Sequence, residues 1–200
     1  MPFYEIDGFR PVVHPSSFVH PTATLIGDVH VGPGCYVGPG AAMRGDFGRL
    51  LMGAGANLQD NCVVHGFPMS DTVLEDESHI GHGAIIHGCV VRRNALIGMN
   101  AVINDGAEIG EAAIVAALAF VKANFKVPAR TLVAGVPARV VRELTAQEIA
   151  WKGAATREYQ DLTRRCLATF KPCDPLPAPE PGRGRLAVGQ VEPLYKTKGG

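Results

Sequence analysis

Residues 79 to 88 read His79-Ile80-Gly81-His82-Gly83-Ala84-Ile85-Ile86-His87-Gly88 and hold three of the chain's seven histidines. Neutral imidazole binds zinc and other transition metals, and it also serves as a general base near neutral pH. His65, His82 and His87 are therefore candidate metal ligands. His14, His20 and His30 read as solvated or core residues, and His79 stays open. The five cysteines at 35, 62, 89, 166 and 173 are odd in number and lack CxxC spacing, so neither a disulfide framework nor a cysteine zinc site is expected. They read as reduced, mostly packed thiols.

The elements that must position these histidines follow from a six-residue repeat. Val19, Leu25, Val31, Val37 and Met43 lie six apart, and the register resumes at Met52, Leu58 and Val64, at Ile80 and Ile86, and at Val91, Ile97, Ile103, Ile109, Val115 and Val121. A second column of small residues lies four positions later: Ala23, Val29, Cys35 and Ala41, then Ala56, Cys62 and Ala84, then Ala95, Ala101, Ala107, Ala113 and Ala119. Neither a helical period nor a simple alternating strand produces six. A short strand plus a tight corner does, with glycine or asparagine where φ turns positive. Three units close one coil, and stacked coils bury one continuous aliphatic column. The chain is therefore expected to be all-β, a hexapeptide-repeat parallel β-helix over residues 10 to 142, with a loop at about 66 to 78.

The prism geometry separates the histidines. His82 is the third residue of the unit at Ile80, and His87 is the second residue of the unit at Ile86. Both should point outward, from different faces. His65 is the second residue of the unit at Val64, one coil before His87 once the loop is subtracted, so His65 and His87 share a face. Zn–N bonds of about 2.0 to 2.1 Å cannot span two faces of one prism. The expectation is a metal site between subunits, with His65 and His87 from one chain and His82 from the next. Three such sites imply a homotrimer.

After the repeats, Thr145-Ala146-Gln147-Glu148 reads as a capping box opening a C-terminal helix, assigned to residues 143 to 171. Its apolar positions Ile149, Trp151, Tyr159, Leu162, Cys166 and Phe170 should pack on the prism or on a neighbour. Residues 172 to 200, rich in Pro, Gly and charge, read as a flexible tail. Nineteen basic residues balance nineteen acidic ones, which argues against nucleic acid as a partner. No signal peptide or long apolar run is visible, so no membrane association and a cytoplasmic location are expected.

Taken in order, Arg44-Gly45-Asp46, Asn57-Leu58-Gln59-Asp60-Asn61, His65, and Gly81-His82 through His87-Gly88 resemble the γ-class carbonic anhydrase family over about residues 10 to 170. That resemblance implies a left-handed β-helix, a homotrimer, and zinc at His65, His82 and His87, with iron as the other candidate metal. It also implies an ion pair between subunits from Arg44 to Asp60, Gln59 orienting metal-bound water with Asp46 close by, and Tyr159 lining the pocket; in the metal-assisted hydrolysis expected here, Asp46 accepts the water's proton. Met1 to Gly8, Arg44 to Arg49, His65 to Pro68 and Ile97 to Val102 are similar to the phenylacetate-degradation and carnitine-operon branch of the family. The phenylacetate resemblance implies a thioesterase acting on coenzyme A thioesters of aromatic degradation. The family's proton-moving glutamates are replaced here by Phe47 and by Gly66-Phe67-Pro68. Carbonic anhydrase activity is the alternative, with an acyltransferase or a purely structural trimer behind it.

Overall fold

The computed structural model describes residues 3–186, 188–189 and 191–197. Short parallel strands, mostly two or three residues long, alternate with tight corners and stack into a left-handed β-helix with three faces. The corners use positive φ at glycine and asparagine, as at Gly83 (71°), Asn94 (54°) and Asn100 (55°), which these residues tolerate best. Both sequence columns point inward. Every member is buried except Val19, which packs against the core from its first coil.

The outward side chains give each face its own chemistry. One face stacks strands Val63–His65, Ile85–His87, Val102–Ile103 and Phe120–Val121 on the start of Ala42–Met52. It presents the column Val63, Ile85, Val102 and Phe120, with His65 and His87 at its edge. A second face carries Thr72–Leu74, Val90–Val91, Glu108–Ile109 and Lys126–Val127. There Arg92 bridges Glu75 and Glu108. The third stacks seven parallel strands from Phe18–Val19 to Thr131–Gly135, and the antiparallel strand Ala138–Glu143 ends it.

Two expectations change. The excursion after His65 is shorter than residues 66 to 78, because Thr72–Leu74 is already back in the ladder between Leu50–Met52 and Val90–Val91. Leu74 is 1% exposed and supplies the core side chain that the six-residue count skipped. Thr72 Oγ1 also donates to the His65 carbonyl at 2.9 Å, closing the loop at its base.

The second change concerns helix α1, Ala146–Thr169, which starts at N-cap Thr145 with both arms of the capping box in place. It lies over strands Phe18–Val19, Tyr36–Val37 and Asn57–Leu58. Its buried side is polar (Glu148, Lys152, Thr156 and Thr163), while Ile149, Trp151, Tyr159, Leu162 and Cys166 are only half-buried. Each buried polar group finds a partner. Glu148 takes the Arg142 guanidinium at 2.7 and 2.8 Å, and Lys152 Nζ donates to the Glu77 carbonyl at 2.8 Å and to Asn94 Oδ1 at 2.7 Å. At the far end the Phe170 ring packs edge-on against Phe18 and His20.

In the tail, residues 187, 190 and 198–200 lie outside those described. It folds back along α1, where Trp151 Nε1 donates to the Glu192 carbonyl at 2.8 Å and Glu158 accepts from the Val191 amide at 2.9 Å. A four-residue helix, Leu194–Thr197, follows. Among the described residues no helix is long and apolar enough to cross a membrane.

Candidate functional site

The ladder sets His65 opposite His87 in register. Their rings lie 5.1 Å apart, with His65 Nδ1 3.1 Å from His87 Nε2. The other nitrogen of each ring meets a carboxylate: His65 Nε2 meets Asp46 Oδ1 at 3.0 Å, and His87 Nδ1 meets Asp105 Oδ1 at 2.5 Å. A carboxylate only accepts, so Nδ1 of His87 carries that ring's proton; Nε2 of His65 faces both Asp46 and the Arg44 guanidinium, which only donates from 3.3 Å, and the shorter Asp46 contact places the His65 proton there. The two nitrogens that face each other are then both bare lone pairs.

Two lone pairs at that distance repel unless a proton or cation lies between them. A tetrahedral ion with Zn–N bonds of about 2.0 to 2.1 Å needs ligand nitrogens about 3.3 Å apart. The pair therefore fits a small divalent cation, and the carboxylates behind it are the outer groups that orient metal-binding imidazoles. Gly88 has φ of 53°, and a Cβ there would collide with Oδ1 of Asp105. Glycine after His87 thus keeps the orienting carboxylate in place.

His82 lies on the corner between the helix-covered face and the histidine face. Its Nδ1 meets Asp60 Oδ2 at 2.7 Å, and the side chain is 48% exposed. By the same argument Nδ1 holds the proton and Nε2 is the available donor atom. Among the described residues, one chain gathers no group of three His, Cys, Asp or Glu side chains able to hold a metal. It offers two converging imidazoles on one edge and one outward imidazole on another.

The remaining candidates divide between these places. Arg44 and Asp46 stand with His65: Arg44 Nη2 is 3.3 Å from His65 Nε2, and Nη1 is 3.5 Å from Asp46 Oδ2. Within the chain Arg44 thus pairs with Asp46, and Asp60 pairs with His82. Gln59 and Tyr159 stand on the His82 side. Gln59 is buried, and its Nε2 donates to Asn57 Oδ1 at 3.0 Å and approaches His79 Nε2 at 2.7 Å. The Tyr159 ring meets His79 at 5.3 Å and Tyr36 at 5.5 Å, and burial pushes its hydroxyl up to about 12. Phe47 and Phe67 lie against the rings of His65 and His87 at 5.4 and 5.2 Å, an apolar wall that is still more than half exposed.

Asp105 escaped the sequence reading. The signal for it was the coil length, since Asp105 lies one coil of eighteen residues beyond His87. Asn57, Thr156 and Lys152 were also missed, because their roles arise only where α1 crosses the prism.

No protein-family model matches the chain. It is 56% identical over 186 residues to the carnitine operon protein CaiE of Salmonella agona, covering 93% of this chain and 94% of the relative. CaiE of Salmonella typhimurium matches to the same extent. The chain belongs to the CaiE family. Among solved structures, a Bacillus cereus protein described as an acetyltransferase superposes on this CaiE-family chain with TM-score 0.82 at 35% identity, covering 83% of this chain and 96% of the other. A hexapeptide transferase family protein from Anaplasma phagocytophilum gives 0.78 at 33% identity, with 81% and 96% covered. These relatives make the CaiE-family chain a hexapeptide-repeat protein of an enzyme-like family. They do not reproduce the link to phenylacetate degradation.

Proposed function

We propose that this protein is a metal-dependent hydrolase of coenzyme A thioesters, working at sites shared between subunits of a homotrimer. The observation that carries the reading is the facing pair of ring nitrogens on His65 and His87, 3.1 Å apart, each ring tied to a carboxylate through its other nitrogen. The outward Nε2 of His82 from a neighbouring subunit completes a three-imidazole set. Zinc or iron held there supplies Lewis acidity and lowers the pKa of water.

The chain's own groups do the rest. Gln59 uses both amide hydrogens on Asn57 and His79, so its Oε1 can accept a hydrogen bond from the attacking water. Asp46 already accepts from His65 and pairs with Arg44, so it orients that ring, and protons released in the reaction pass to solvent. Phe47 and Phe67 pack on the acyl group and exclude water from one side. In hydrolysis a C–O bond forms, the C–S bond breaks, and coenzyme A leaves as thiolate. The phenyl rings stand where proton-relaying carboxylates would serve CO2 hydration, which favours the thioester reading. The substrates to compare are thioesters of the aromatic acids of the sequence expectation and thioesters of aliphatic acids.

Acyl transfer is the second reading, favoured by solved relatives described as acetyltransferase and hexapeptide transferase. It predicts that adding an amine or alcohol acceptor converts thiol release into acylated product. The deciding assay is thiol release from aliphatic, hydroxylated and aromatic acyl-CoAs by metal-loaded protein and by His82→Ala. Release that needs both the metal and His82 supports hydrolysis. No release with metal bound overturns it, and CO2 hydration is then measured.

A further inference from the structure

Resting on that reading, we propose that His79 is a positioning residue that fixes the Gln59 carboxamide, and that Thr156 of α1 selects the histidine tautomer that does so. His79 is 8% exposed and sits beneath α1 among Asn57, Gln59, Thr156 and Tyr159. No metal-binding role is open to it there, because the helix covers it.

The polarity of the bonds decides the tautomer. Both Gln59 Nε2 hydrogens are spent, one on Asn57 Oδ1 and one on His79 Nε2 at 2.7 Å. An imidazole that accepts at Nε2 carries its proton at Nδ1. Thr156 Oγ1 lies 3.4 Å from Nδ1 and accepts that proton's hydrogen bond, while its own hydroxyl donates to the Lys152 carbonyl at 3.3 Å. The chain from Gln59 through His79 and Thr156 to the helix backbone then runs donor to acceptor throughout, and it leaves Asn57 Nδ2, 3.2 Å from Nδ1, without an acceptor on that ring.

The opposite tautomer has a competing partner. Asn57 Nδ2 lies 3.2 Å from Nδ1 and would donate to it if that nitrogen were bare. Nε2–H would then confront the Gln59 N–H, and the carboxamide would have to turn. Burial lowers the His79 pKa to about 3, so the ring is neutral at working pH and holds only one proton to place. Thr156 breaks the tie in favour of Gln59. Gln59 is followed directly by Asp60, the partner of His82, so a turned carboxamide changes the side of the site that His82 belongs to. Helix α1, remote from His65 and His87, thereby acts on the reacting water through a buried imidazole.

The test uses metal-loaded, full-length protein and two readouts. In 15N-resolved NMR of the histidine rings, wild-type His79 is expected as the Nδ1–H tautomer, and Thr156→Val is expected to shift it toward Nε2–H. In thiol release, Thr156→Val should lower kcat about tenfold with KM changed less than twofold, a loss of orientation rather than of binding. His79→Gln, which keeps an acceptor for Gln59, should recover most of the kcat lost in His79→Leu, with thermal midpoints separating this from loss of folding. An Nε2–H tautomer in the wild type, or one unmoved by Thr156→Val, overturns the proposal, as do equal kcat values for His79→Gln and His79→Leu. Absence of thiol release in the wild type overturns the functional reading alone, since the NMR result still decides the tautomer.

Discussion

Asp105 and Asp60 do for His87 and His82 what a free imidazole in water cannot do for itself. Each holds the proton on Nδ1 and so commits Nε2 to a single task. Removing such an outer carboxylate typically weakens metal binding by about 10- to 100-fold. Asp105→Ala should do so in competition with a chelator while leaving the fold intact, since Asp105 sits on a surface corner. Chelation of the wild type should abolish thiol release, and adding back zinc or iron should restore it. The chain's buried thiols are not competing ligands. Cys35, Cys62 and Cys89 lie in the core column, and burial pushes them up to about 11, 11 and 12.

Helix α1 is held by polar groups on the side where an amphipathic helix would be apolar, and its stability should therefore depend on pH. Lys152 is lowered to about 7 by burial, and His79 to about 3. Both are bases whose folded pKa lies below the unfolded value, so the unfolded state binds more protons wherever they titrate. Stability falls as pH drops from about 10.5 to 7 through Lys152 and from about 6.5 to 3 through His79. Trp151, the chain's one tryptophan, reports this through its fluorescence. The thermal midpoint should decline on acidification, and His79→Leu should flatten the slope below pH 6.5. At the helix start, Thr145→Ala removes the capping hydroxyl and should cost about 1 kcal/mol in denaturant unfolding. Ser78 is the opposite case. Its hydroxyl is buried without a hydrogen-bond partner among the described residues, so Ser78→Ala should be neutral or stabilising.

Across the whole molecule, the three faces of the prism differ in what they leave unsatisfied. The charged face pairs Arg92, Glu75, Glu108 and Lys126 among themselves. The third is covered by α1 over strands Phe18–Val19, Tyr36–Val37 and Asn57–Leu58. The histidine face leaves Val63 and Ile85 about two-fifths exposed, in line with Val102 and Phe120 and ending at His65 and His87. An apolar column that borders two converging imidazoles fits a second copy of the chain. Ile85→Lys is expected to give monomers in sedimentation velocity and to lose metal binding although all three histidines remain. A monomer that keeps its metal, or an assembly indifferent to Ile85→Lys, would count against the shared site.

The inward columns were legible because a six-residue unit with one large and one small core position leaves few other ways to bury both. The pairing of His65 with His87 followed from the same count, and so did the separation of His82 onto another edge. The count slipped at Leu74, where a short excursion hid a strand, because loops carry no period. Residue order could not show that α1 turns Lys152 and Thr156 inward, since side-chain patterning assumes an apolar surface beneath a helix. Here the surface beneath is a prism face that offers the Glu77 carbonyl, Asn94 and His79 as partners. The local pattern determined the coil, its core and the placement of His65, His82 and His87. Only the packing of helix on prism decided the His79 tautomer and the orientation of Gln59, because hydrogen-bond polarity depends on which groups meet across the fold.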